Sequence, residues 1–120
     1  ESSINLTPSD AEIKKALDDE AKRVLKTVKP GEYKIVLDLH GKMLSSEEFA
    51  GFFVEKENTG NSSFVFIVGS SYGLSDLLID TADYRLCLSK MTFTHPFALL
   101  LILEQVYRAF KINANETYHK

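Results

Sequence analysis

The chain has 120 residues, 44% hydrophobic and 26% charged, with 17 Asp/Glu against 14 Lys/Arg and a net charge of −3. That length suits one domain spanning residues 1–120, large enough for a real core, and the apolar content excludes a disordered chain. An acidic balance argues against a generic nucleic-acid binder, which would be basic, but the charge is uneven: residues 1–84 hold 9 Lys/Arg against 15 Asp/Glu, and residues 85–120 hold 5 against 2.

In chain order, residues 1–5 read as a tail, and no signal peptide is expected at the start. The Asn-x-Ser/Thr sequons at Asn5, Asn61 and Asn115 are therefore taken as chance. Thr7-Pro8-Ser9 gives a helix start, with a capping hydroxyl, a proline suited to a first turn and acids close behind. Ile13, Leu17, Ala21, Val24 and Val28 recur at helical spacing among charges, so this helix is amphipathic with one buried face. Pro30-Gly31 ends it, and Tyr33 to Leu39 is a β-branched and aromatic run of strand length.

His40-Gly41-Lys42-Met43 reads as a loop, and Ser45-Ser-Glu-Glu48 as a capping box opening a second helix whose apolar face is Phe49, Phe52 and Phe53. After turn-rich residues 58–63 comes Phe64-Val-Phe-Ile-Val68, a continuous apolar strand of the kind buried on both faces in a parallel sheet. Gly69-Ser-Ser-Tyr-Gly73 then precedes a helix beginning near Ser75. A glycine-containing loop at the carboxyl end of a strand is where open α/β sheets bind ligands, although two glycines in such a turn are common and the spacing is not GxGxxG.

Tyr84 to Leu88 is the next strand, and its Cys87, the single cysteine, excludes an intramolecular disulfide and suits a reducing cytoplasm. A polar loop, Ser89 to His95, leads to Pro96 at the first turn of the last helix. From Phe97 to Phe110 that helix is apolar almost all round. Such a helix must be buried all round, which a chain this small cannot do alone, so a homodimer is expected. The longest apolar run, Phe97 to Leu103, is far short of the roughly 20 residues a membrane span needs. The alternation of helix and strand predicts an α/β domain with a mainly parallel sheet flanked by helices.

Five segments then carry a family resemblance: Leu37-Asp-Leu-His-Gly-Lys42, Ile67-Val-Gly-Ser-Ser-Tyr-Gly-Leu74, Leu88-Ser-Lys-Met-Thr-Phe93 with His95, Glu104-Gln-Val-Tyr-Arg-Ala109 and Tyr118-His-Lys120. In order and over essentially the whole chain they resemble the RlmH-type SPOUT methyltransferases. The resemblance implies a cytoplasmic enzyme that methylates N3 of a pseudouridine in 23S ribosomal RNA of the assembled ribosome, with S-adenosyl-L-methionine as donor and no metal. It also implies a homodimer with a trefoil knot near the C-terminus, an exception to the rule that chains do not thread loops. Family members usually begin with a strand and helix ahead of the segment matching Glu1, so the sequence is expected to be either a fragment that starts after them or a chain that has lost them.

Carried over residue by residue, the resemblance places the cofactor against Leu37, Gly69, Leu88, Ser89, Lys90, Met91, Thr92 and Phe93. Backbone groups and small residues there suit an adenine edge and an amino-acid moiety, and Leu37 and Met91 offer apolar walls. Methylation at a uracil-type N3 also needs its proton accepted, since the protonated imide is a poor nucleophile. His95, Tyr118 and His119 are the candidates. The chain departs from the family at Ser70, where a second glycine is common, at Leu99, where relatives usually place an arginine, and at Ala114-Asn115, where they often have Arg-Gly. The last two remove positive charge from the RNA face. They motivate an alternative reading, a catalytically weak or inactive dimer that binds cofactor or ribosome without efficient methylation.

Overall fold

The computed structural model describes residues 9–69 and 73–115. Its elements run α1 (Asp10–Thr27), β1 (Tyr33–Met43), α2 (Ser46–Asn58), β2 (Phe64–Val68), α3 (Asp76–Thr81), β3 (Tyr84–Cys87) and α4 (His95–Asn113), the alternation expected from the sequence. Local chemistry sets the helix starts. Ser9 caps α1 and Ser45 caps α2, and in each case the hydroxyl accepts the N–H three residues on while that residue's glutamate, Glu12 or Glu48, returns the bond to the cap's own N–H. Ser9 is therefore the cap within Thr7-Pro8-Ser9; Thr7 and Pro8 lie outside the described residues.

The three strands form one parallel sheet in the order β2-β1-β3. Strand β1 is central, and its successive side chains point to opposite faces. Ile35 joins Phe49, Phe52, Phe53, Leu86 and Ile102 in one core, whereas Val36 joins Ala21, Ile67 and Leu78 in the other. Helices α2 and α4 thus cover one face and α1 and α3 the other. The first core is rich in aromatic rings, with Phe53 meeting Phe49, Phe64 and Phe110 at ring-centroid separations of 4.8, 5.0 and 5.7 Å.

Two expectations are corrected. Strand β2 is not buried on both faces: it lies at a sheet edge, and within it only Ile67 is fully buried, while Phe64 and Phe66 are half-buried against the α2 rings. The residues from His40 to Met43 are not a loop but the end of β1, which bulges and then rejoins β3. Helix α4, as expected, is not covered by the described residues of its own chain: it buries one stripe, Ala98, Ile102 and Ala109, while Phe97, Leu100, Leu103, Tyr107 and Phe110 are half or more exposed, with α2 flanking the helix on one side. None of the described helices is long and apolar enough to cross a membrane.

The turn into α3 is tied to α1 by Ser75, which is buried. Its hydroxyl accepts the Leu77 N–H at 3.0 Å and donates to Asp18 at 2.7 Å. That hydroxyl, together with the Lys14 ammonium, holds the Asp18 carboxyl below its usual value. The interaction is therefore complete above the unfolded-state carboxyl value and lost as pH falls through the lowered native one. Ser75→Ala should cost about 1 kcal/mol in urea unfolding at neutral pH, and Asp18→Asn should flatten part of the stability loss on acidification.

Candidate functional site

Parallel strands end together, and here the register places three of the expected site residues side by side. Leu37 of β1 pairs with Val68 of β2 and with Leu86 of β3. Gly69 follows Val68 directly, and Leu88 lies two residues beyond Leu86. Gly69 and Leu88 therefore follow the carboxyl ends of β2 and β3, where open α/β sheets present their loops, and Leu37, the last regular pair of β1 before its bulge, stands level with them. Leu37 and Leu88 both pack against the α2–α4 core as half-buried side chains.

Gly69 has a steric reason to be glycine. A Cβ there would lie 2.7 Å from the Gly73 carbonyl oxygen and 2.8 Å from the Leu74 side chain, so the loop closes back on its own first residue. Gly73 sits at φ +114°, a conformation that L side chains rarely adopt. The sequence signal at this loop was two glycines four residues apart, and both are required, one by a close approach and one by its dihedral. Ser70 lies outside the described residues.

The loop after β3 is shaped by its own side chains. The Ser89 hydroxyl accepts the Met91 N–H at 3.0 Å, and the buried Cys87 thiol donates to the Ser89 carbonyl at 3.1 Å. Lys90, Met91, Thr92 and Phe93 are exposed, Met91 by 73%. An unbranched apolar side chain held out into solvent beside this cluster is a wall without an opposite side among the described residues. His95 opens α4 and is exposed, two residues beyond Phe93. Tyr118 and His119 lie outside the described residues, so of the three candidate proton acceptors only His95 is placed beside the strand-end loops.

Sequence reasoning missed Asp38 and Arg85. The Asp38 carboxylate is buried, accepts the His40 N–H at 3.0 Å and pairs with Arg85 Nη1 at 3.1 Å. The available signal was a carboxylate closing an apolar strand and an arginine inside another, since buried charges are rare unless paired. An open groove of about 480 Å³, lined by His40, Lys42, Ile79, Asp83, Tyr84 and Arg85 among others, shares no residue with the strand-end cluster. Among the described residues, no group of three or more His, Cys, Asp or Glu could hold a metal ion.

Such a cluster offers backbone amides, small residues and apolar walls, a donor set that fits an uncharged ring together with a polar chain. A family model described as "Predicted SPOUT methyltransferase" matches residues 2–119. Similar proteins carry the name "Ribosomal RNA large subunit methyltransferase H". The one from Ruminiclostridium cellulolyticum is 54% identical over 104 residues, covering 84% of this chain and 64% of the relative. That from Clostridium acetobutylicum is 45% identical over 117 residues, covering 95% and 74%, and that from Carboxydothermus hydrogenoformans 47% over 116 residues, covering 97% and 72%. The chain thus spans just under two thirds of the first relative and nearly three quarters of the other two.

The steric account of the second loop is testable. Gly69→Ala should lower stability by about 1–3 kcal/mol in urea unfolding, because a backbone carbonyl must give way. Gly51→Ala on α2, where nothing lies within 4 Å of an added Cβ, should be neutral or raise stability by up to about 1 kcal/mol.

Proposed function

Because the chain belongs to the SPOUT methyltransferase family, we propose that it methylates large-subunit ribosomal RNA, with S-adenosylmethionine as donor and N3 of a pseudouridine as acceptor. The observation that carries this reading is the register that sets Leu37, at the β1 bulge, level with Gly69 and Leu88, just past the ends of β2 and β3, in a chain that matches the family over residues 2–119. The names of the relatives support ribosomal RNA as the substrate class.

In this proposal Leu37 and Met91 form apolar walls, Gly69 and its loop supply backbone groups, and Leu88 to Phe93 wrap the remaining side. S-adenosylmethionine supplies an electrophilic methyl group. The protein's own tasks are to hold the accepting nitrogen in line with that methyl and to take up the proton that N3 loses. His95, exposed at the first residue of α4 and next to the third loop, is the proton acceptor proposed among the described residues, with Tyr118 and His119 as substrate contacts from the C-terminal tail.

The exposed apolar face of α4, with Phe97, Leu100, Leu103, Tyr107 and Phe110, supports the homodimer. An apolar stripe of five side chains between Phe97 and Phe110 is covered when a second copy lays the same stripe against it. That arrangement would also bring a partner surface to the open side of Met91. The C-terminal trefoil knot and the cytoplasmic setting belong to the same proposal and rest on the family resemblance.

The decisive experiment is transfer of labelled methyl from S-adenosylmethionine to ribosomes from a strain lacking the native activity. Incorporation at a single 23S pseudouridine is expected; cofactor binding without incorporation would favour the alternative reading, the inactive dimer suggested by Leu99 and Ala114. His95→Gln should lower kcat about a hundredfold or more with cofactor affinity unchanged in calorimetry. Leu100→Asp with Leu103→Asp should convert a dimer into a monomer in sedimentation.

A further inference from the structure

The β1–β3 ladder contains an interruption that the sheet itself does not need. Leu37 and Lys42 both take Leu86 as their partner, and Met43 then pairs with Cys87. Residues 38–41 are consequently looped out between two stretches of regular pairing. Such bulges re-aim a strand end and are frequent beside active sites.

Three contacts hold this bulge shut. One Asp38 oxygen accepts the His40 N–H at 3.0 Å, within the bulge. The other accepts Arg85 Nη1 at 3.1 Å, across to β3. The Gly41 backbone lies so close to β3 that a Cβ would fall 2.6 Å from the Arg85 carbonyl oxygen. The Asp38 side chain is only 5% exposed and the Arg85 side chain 43%, so a buried anion relies on a cation that reaches it from the surface. A charge in that position is strongly held only while its partner stays.

We propose that Asp38 and Arg85 are positioning residues for the cofactor site: their ion pair clasps the bulge to β3 and so fixes the Leu37 strand end relative to the Leu88 loop. The inference rests on the function proposed above, since it assigns the clasp an effect on S-adenosylmethionine binding. The connection is short. Leu37 is bonded directly to Asp38, and Arg85 lies three residues before Leu88. A slip of the bulge moves Leu37 and Leu88, which are half-buried at the rim of the first core, while the fully buried Ile35 and Val36 further back on β1 stay packed in the two cores.

The test is calorimetric titration with S-adenosylmethionine of the wild-type protein, Asp38→Asn, Arg85→Met, Arg85→Lys and the Asp38→Asn/Arg85→Met double variant, each well below its own melting temperature. Asp38→Asn keeps an acceptor for the His40 amide and loses the charge; Arg85→Met keeps the stem and alters only a half-exposed side chain. Each of these should weaken binding about tenfold, and the double variant no more than the worse single one, since both break one interaction. Arg85→Lys, which restores a cation, should bind within about threefold of wild type. Variants that melt earlier yet bind as wild type does, or losses that simply add, would overturn the clasp while leaving the proposed function standing. Wild-type protein that binds no S-adenosylmethionine at millimolar concentration would overturn the proposed function and the clasp with it.

Discussion

The register of β1 against its two neighbours is the constraint on which the rest of the structure depends. Every strand pairing in the sheet is made by β1, and both are parallel. Parallel neighbours cannot be joined by a tight turn, so the chain crosses over through a helix after β1 and again after β2. Those crossovers place α2 on one face and α3 on the other, and they deliver the loops after all three strands to the same end. A one-residue slip of β1 would exchange Ile35 and Val36 between the aromatic core and the smaller core beneath α1 and α3. Because the two cores differ in volume, the register is strongly specified, and with it the neighbourhood of Leu37, Gly69 and Leu88.

The strand ends then differ in how they are held. The second loop is closed by sterics, with Gly69 pressed against Gly73 and Leu74. The third is held by short-range hydrogen bonds around Ser89. The first is held by electrostatics through Asp38 and Arg85. Most of the exposed large apolar side chains among the described residues, Met91, Phe93 and those of α4, lie on one contiguous piece of sequence from Met91 to Phe110. A site with two finished walls and an apolar seam beside it is the shape expected of half an assembly, which is why the dimer and the cofactor site belong to one proposal.

Much of this was legible in the sequence because it depends on local chemistry. The capping box at Ser45 declares itself by spacing, the start of α1 was legible as a capping hydroxyl within Thr7-Pro8-Ser9 though not as the Ser9–Glu12 box, and the helical period of Ile13 to Val28 fixes the face of α1. The strand-end loops were legible through their glycines and through the family resemblance. What was not legible is non-local. The apolar run Phe64 to Val68 reads the same at the centre of a sheet as at an edge, and only the pairing order shows that β2 has one neighbour. The continuation of β1 through His40-Gly41-Lys42 depends on Gly41 meeting the backbone of Arg85, 44 residues later in the chain. Asp38 and Arg85 signal a partner by lying within apolar strand runs, but neither names the other.

The claim that joins these parts is that the ends of the three strands form a single cofactor site. It is tested most directly by mapping amide chemical shifts while the protein is titrated with S-adenosylhomocysteine. The largest shifts should fall on Leu37 and Asp38, on Gly69 and on Leu88 to Phe93, three segments distant in sequence that respond with one affinity. Shifts confined to the groove around Ile79, Ala82 and Asp83, with the strand ends unmoved, would contradict the account.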